Sequence, residues 1–166
     1  MVLAADGNDF KKDELDPILG AVQKPILGGT FPSLIHGGET HEKGIIIVGL
    51  QSAINVAVIE GLNDFEADYA DLIEDAFPED EDLSPTTLVF VDGFARRIAA
   101  FIDGIFNVFG LETNYVGGGA GSLSMQQKPC VITNQGLLQD AAVVGLLNVP
   151  SGLGVNHGWE SVADPF

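Results

Sequence analysis

The chain has 166 residues, of which 46% are hydrophobic and 19% charged, a composition that supports one globular core rather than a disordered segment. Seven Lys+Arg against 24 Asp+Glu give a formal net charge of −17. So few cations cannot neutralise a track of phosphates, which excludes nucleic acid as a partner and disfavours an anionic membrane surface.

Met1 opens a short apolar run, Val2-Leu3-Ala4-Ala5, with no basic segment before it. That argues against a signal peptide, and Asp6-Gly7-Asn8-Asp9 closes the run as a turn closes a buried strand. Leu15, Ile18, Leu19 and Val22 then fall at i, i+3, i+4, i+7 and predict a helix, with Asp16 as cap and Pro17 as first helical residue. Pro25 ends it, and Gly28-Gly29-Thr30-Phe31-Pro32 follows. Gly44-Ile45-Ile46-Ile47-Val48-Gly49-Leu50 reads as a strand apolar on both faces, and residues 54–59 as another.

Asn63, with Glu66 three residues on, predicts a capped helix whose stripe is Leu62, Phe65, Tyr69, Leu72, Ile73 and Ala76. The acidic run at 78–82 stops that helix, reads as a solvated loop, and divides the chain into two halves. Thr87-Leu88-Val89-Phe90-Val91 is a strand closed by Asp92-Gly93. The strongest helical stripe comes next: Phe94, Ile98, Phe101, Ile102, Ile105 and Phe109, with Gly110 as terminator.

Val116-Gly117-Gly118-Gly119-Ala120-Gly121-Ser122 places four glycines within five residues. It reads as a tight turn, or as a wall of backbone N–H groups around a small ligand. It is not a phosphate-binding P-loop, because no Gly-Lys-Ser/Thr follows. Residues 129–133 and 141–147 read as strands joined through Asn134-Gln135-Gly136, and residues 152–159 as a last extended piece.

The halves repeat, over 1–62 and 86–159. Each carries a strand, an Asp-Gly, an amphipathic helix, a glycine pair (Gly28-Gly29, Gly118-Gly119), and a strand ending Val-Gly-Leu or Val-Val-Gly-Leu. The fold class expected is α/β in the broad α+β sense. Two strand–helix–strands repeats form mixed or antiparallel sheets flanked by helices, stacked as helix, sheet, sheet, helix. An Asp-Gly at the carboxyl end of an opening strand stands where open α/β sheets bind ligands, so Asp6 and Asp92 are expected on related sides of one cleft.

This ordered set resembles the N-terminal domain of the FIST family, the F-box and intracellular signal transduction proteins. It does so through Asp6-Gly7, Gly28-Gly29-Thr30-Phe31-Pro32, residues 43–48, Val91-Asp92-Gly93, the glycine run at 117–121, residues 140–144 and His157-Gly158-Trp159. The resemblance covers nearly the whole chain. It implies a cytoplasmic, non-enzymatic sensory domain for a small ligand, amino acids first. Its expected partners are a C-terminal FIST domain or a signalling kinase. A haem-based nitric oxide sensor, with His157 as axial ligand, and a structural interaction module are the alternatives.

The residues expected at the ligand are Asp6, Gly28, Gly29, Thr30, Asp92, Arg96, Gly117, Gly118, Gly119, Gly121 and His157. Arg96 would hold a carboxylate in its guanidinium fork and Asp6 or Asp92 an ammonium group. His36, His41 and His157 show no zinc-ligand spacing, Cys130 reads as an inert buried thiol, and Ser122 lacks a nucleophile elbow. The lone cysteine excludes an internal disulfide, and no apolar run is long enough to span a bilayer. The acidic surface also suits a high-salt source, because salt screens self-repulsion. Such a protein melts higher in molar KCl, and equal melting curves in low and high salt would refute the idea.

Overall fold

The computed structural model describes residues 1–78 and 86–155. Strands β1 (Val2–Ala5) and β2 (Leu27–Phe31) are parallel, and helix α1 (Lys12–Ala21) supplies the crossover that a parallel pair requires. A hairpin follows, β3 (Leu34–His36) and β4 (Glu39–His41), then β5 (Ile45–Ile47) and β6 (Asn55–Glu60). Helix α2 (Tyr69–Ala76) closes the first half. In the second half, β7 (Thr86–Asp92) and β8 (Asn114–Ala120) are parallel across helix α3 (Ile98–Phe109). The chain continues through β9 (Val131–Thr133), β10 (Gly136–Leu138) and β11 (Ala141–Leu147).

The described strands form three sheets. The first has the order β10-β9-β2-β1-β5, the second β6-β11-β7-β8, and the third is the β3–β4 hairpin alone. Both larger sheets mix parallel and antiparallel pairs, as expected for an α+β fold. Each also draws strands from the other half of the chain: β9 pairs with β2, and β6 with β11. β7 and β11 are buried along their whole length, which their β-branched, apolar sequences permit.

Three cores result. Leu19 of α1 and Ile26, just before β2, pack with Ala4, Ile132 and Leu137 of the first sheet. Leu27 and Val131 of that sheet meet Leu88, Phe90, Val143 and Leu147 of the second. Val89, Val91, Ala142 and Val144 of the second sheet meet Ile73 of α2 and Phe101, Ile105 and Phe109 of α3. Three of the six stripe residues on the strongest helix, Phe101, Ile105 and Phe109, are buried, and Ile98 and Ile102 pack partly buried against them.

The differences from the expected boundaries have local causes. Pro17 lies inside α1 rather than at its start, and Asp16 accepts from the Leu137 N–H of β10 at 2.8 Å instead of capping. Asn63 does not cap α2. Asp68 does, accepting from the Ala70 and Asp71 N–H groups, while Asn63 Oδ1 takes the Arg96 N–H at 2.8 Å. α3 begins at Ile98, not Phe94, because Phe94 N–H is turned back onto Asp92 Oδ1 at 3.0 Å.

The glycine runs are the largest difference. Residues 28–29 and 117–119 are not turns but parts of β2 and β8. A Cβ on Gly28 would lie 1.8 Å from the Val2 carbonyl oxygen, and one on Gly117 only 1.6 Å from that of Val89. Glycine is required there because the parallel neighbour comes too close for any side chain.

Candidate functional site

β1 and β2 end side by side, with Ala5 opposite Phe31. Asp6 then begins a single 3-10 turn that reverses the chain at Asp9, whose φ is 52°, and delivers it to α1. This geometry sets Asp6, the first turn of α1 and Thr30 around one pocket of about 300 Å³. Lys128 and Pro129 of the segment joining β8 to β9 complete its rim.

The pocket gathers charge of both signs. Lys11, Lys12 and Lys128 line it, three of the seven basic residues of a chain with net charge −17, together with Asp6, Asp9 and Asp13. Lys128 Nζ meets Asp6 Oδ1 at 2.5 Å, Lys11 meets Asp9 at 2.7 Å, and Lys12 meets Asp16 at 2.7 Å and donates to the Leu137 carbonyl at 2.8 Å. Lys11 holds the Asp9 carboxyl below the usual carboxylate range. Phe10 and Leu137 supply the apolar part of the wall.

Thr30 lines the same pocket, and its main chain is fully engaged. Its N–H donates to Cys130 O at 2.8 Å, and its carbonyl accepts from Gly121 N–H at 2.8 Å. Its hydroxyl is buried, with the residue only 5% exposed, and has no hydrogen-bond partner. A buried hydroxyl without a partner costs about 1–3 kcal/mol, and the Thr87 hydroxyl shares that state.

Asp92 has a different setting. It is fully buried, and its carboxylate accepts from Phe94 N–H at 3.0 Å, Gln127 Nε2 at 2.7 Å and Asp140 N–H at 2.8 Å. No part of it is open to a ligand. The two aspartates instead anchor one segment: Asp6 takes Leu123 N–H at 3.3 Å and pairs with Lys128, while Asp92 takes Gln127. Cys130, next along, is buried, and that burial, with Asp92 beside it, pushes its thiol far up from the ordinary range.

Of the other expected residues, Gly28 and Gly29 are buried inside the first sheet and line neither the pocket at Asp6 nor the one against α3. Gly121 is buried against the Phe94 ring. Gly117, Gly118 and Gly119 are exposed and line an apolar pocket of about 360 Å³ against α3, away from Asp6. Arg96 is exposed at the start of α3 and does not line the pocket at Asp6. Its neighbour Arg97 is the anchored one, donating to the Asp64 and Ala67 carbonyls at 2.8 and 2.9 Å over the Tyr69 ring. His157 lies outside the described residues.

Asp6 and Thr30 are therefore the expected residues that share the charged pocket, while Gly117, Gly118 and Gly119 share the apolar one. The three lysines were missed. The signal for them is scarcity: in a chain so poor in cations, the adjacent Lys11-Lys12 just after Asp6 needed a reason. Among the described residues, no helix is long and apolar enough to cross a membrane, and no group of three or more His, Cys, Asp or Glu is arranged to hold a metal ion.

Comparison with known proteins places the chain. A family model described as FIST N domain matches residues 3–166. No significant match to a curated protein or to a solved structure was found.

Proposed function

The chain belongs to the FIST N domain family, which is associated with signal transduction, and from that premise we propose that it is a sensory domain whose ligand is a small zwitterion, an amino acid in the simplest case. The observation that carries this reading is the pocket at Asp6. It has three lysines for a carboxylate, a carboxylate for an ammonium group, and one buried hydroxyl free to bond. Its size, about 300 Å³, suits a molecule of that scale.

A carboxylate entering the pocket takes Lys128 from Asp6, and the ligand ammonium replaces it. The one ion pair becomes two and no charge is left unpaired, so binding loses little to desolvation of an unpaired charge. Thr30 Oγ1 gains the bond it lacks. No bond of the ligand is made or broken in this reading, which is that of a non-enzymatic, cytoplasmic receptor. Its output passes to a partner such as a C-terminal FIST domain or a kinase. The haem alternative draws no support from this pocket, which presents no histidine.

Isothermal titration calorimetry against amino acids, the corresponding amines and the corresponding carboxylic acids tests it. The zwitterions are expected to bind, and removal of either charged group to weaken binding at least tenfold. Lys128→Met and Asp6→Asn should each abolish binding, and Thr30→Val should weaken it about tenfold, the worth of one hydrogen bond. Binding unchanged in all three variants would move the site elsewhere.

A further inference from the structure

Each parallel strand pair has an outer edge on its second strand, and the two edges are treated differently. On β2 the edge is filled by β9, which runs antiparallel with Gly28 opposite Ile132 and Gly29 opposite Val131. On β8 it is open: among the described residues β8 pairs with β7 alone, and residues 116–119 are exposed. The strands are otherwise matched. Gly28 stands opposite Val2 and Gly117 opposite Val89, and in both places a Cβ would strike that partner's carbonyl oxygen.

Ile132 shows what the filled edge contains. It is 1% exposed and seated in the core between the first sheet and α1. The matching place beside β8 is the apolar pocket of about 360 Å³, walled by Val91, Ile98, Ile102, Phe106 and Tyr115 with no charged residue in its lining. An open strand edge above an apolar pocket is the arrangement that accepts an added strand, with backbone bonds for affinity and a side chain in the pocket for selectivity.

The chain also holds a segment of the required kind. The hairpin that follows β8 is β9–β10; the hairpin that follows β2 is β3–β4. β9 reaches the β2 edge through residues 121–130. β3 follows β2 after residues 32 and 33 alone and stays beside β1 of its own molecule. There, among the described residues, β3 pairs only with β4, and Ile35 is left 75% exposed.

We propose that this fold forms a twofold dimer in which the β3–β4 hairpin of each subunit adds to β8 of the other. The filled edge supplies the register. β3 lies antiparallel on β8, with Gly117 opposite Ile35 of the partner subunit, Gly118 opposite Leu34 of the partner subunit and Val116 opposite His36 of the partner subunit. Ile35 of the partner subunit enters the apolar pocket as Ile132 enters its own. The exchange is reciprocal, so the interface closes on itself. A net charge of −17 on each subunit opposes association, so the dimer strengthens with salt.

Sedimentation equilibrium of the full chain in molar KCl, from micromolar to near-millimolar protein, tests the proposal. The expected mass is twice that of one chain. Ile35→Asp is expected to leave a folded monomer whose denaturation midpoint matches that of the wild-type chain at a concentration too low for it to dimerise, since Ile35 is exposed in the single chain. The double variant Val116→Cys, His36→Cys is expected to give a disulfide-linked dimer on mild oxidation, as is a mixture of the two single variants. A single-chain mass throughout the range would overturn the proposal. So would a dimer that survives Ile35→Asp and gives no cross-link, as an assembly through the outer edge of β5 with its exposed Ile45 and Ile47 would.

Discussion

The carboxyl ends of β1 and β7 carry the same dipeptide, Asp-Gly, and become opposite kinds of place. Asp6 begins a turn just beyond its strand, is paired with a lysine, and borders a pocket. Asp92 is the last residue of its strand, fully buried, with three donors converging on its oxygens. A single residue of register separates the two: Ala5, not Asp6, is the last residue of β1. An identical motif thus borders a pocket in one half and is buried in the architecture of the other, and which of these it does depends on whether the carboxylate falls inside or outside the strand.

Substitutions can break that contrast. The largest effect is expected at Asp92. Asp92→Leu leaves three donors without an acceptor and should cost about 3–5 kcal/mol, each lost bond to a charged group being worth about 1.5–3 kcal/mol before relaxation. Urea denaturation measures it, and a loss below about 1 kcal/mol would show that the network is dispensable.

Next come the glycines that let the parallel strands approach. Gly28→Ala and Gly117→Ala should each cost about 1–3 kcal/mol, as overpacking does, or prevent folding. Gly118→Ala, with nothing within 4 Å of its added Cβ, should stay within about 0.5 kcal/mol. Equal losses at all three positions would mean that the close approach is not what selects glycine.

A smaller effect follows pH. Cys130 ionises far above its ordinary value near 9.0 because it is buried with Asp92 beside it. Once the pH passes that ordinary value, the unfolded thiol ionises and the folded one does not. The unfolded state then binds fewer protons, and stability falls as pH rises, by at most about 1.4 kcal/mol per pH unit. Cys130→Ala should flatten the alkaline limb of a denaturation-midpoint profile; an unaltered limb would assign it to other groups.

A small stability change is expected at Asp6. Asp6→Asn removes one partly exposed ion pair, worth about 1 kcal/mol or less, and should leave the melting temperature nearly unchanged while ligand affinity is lost. A large stability loss there would make Asp6 a second Asp92 and erase the distinction between the two halves.

How far the sequence discloses this follows the same division. The periodicity of Phe101, Ile105 and Phe109 is local, so the helix and its buried face are legible, as are the apolar strands at 87–91 and 141–147. The glycine strands are not, because glycine density signals a turn locally, whereas here the cause is the carbonyl of a strand distant in sequence. The β3–β4 hairpin escaped for a related reason: its alternation spans only three residues a side. At the pocket, Asp6 and Thr30 were legible from the glycine and Asp-Gly motifs. Lys128 was not, because only the fold carries it across from the other half.

The exchange of strands between halves has a consequence for how the chain is made. The first sheet cannot be completed until Leu138 has been synthesised, and the second incorporates β6 from the first half. Most of its contacts are therefore of long sequence separation, and a high contact order slows folding. A nascent chain halted near the acidic run at 78–82 would hold β2 without its antiparallel neighbour β9 and β6 without β11, the strand it pairs. Such an intermediate exposes strand edges, which makes it a natural client for chaperones. For the same reason, the two halves expressed as separate polypeptides should be insoluble alone and recover the fold only when refolded together.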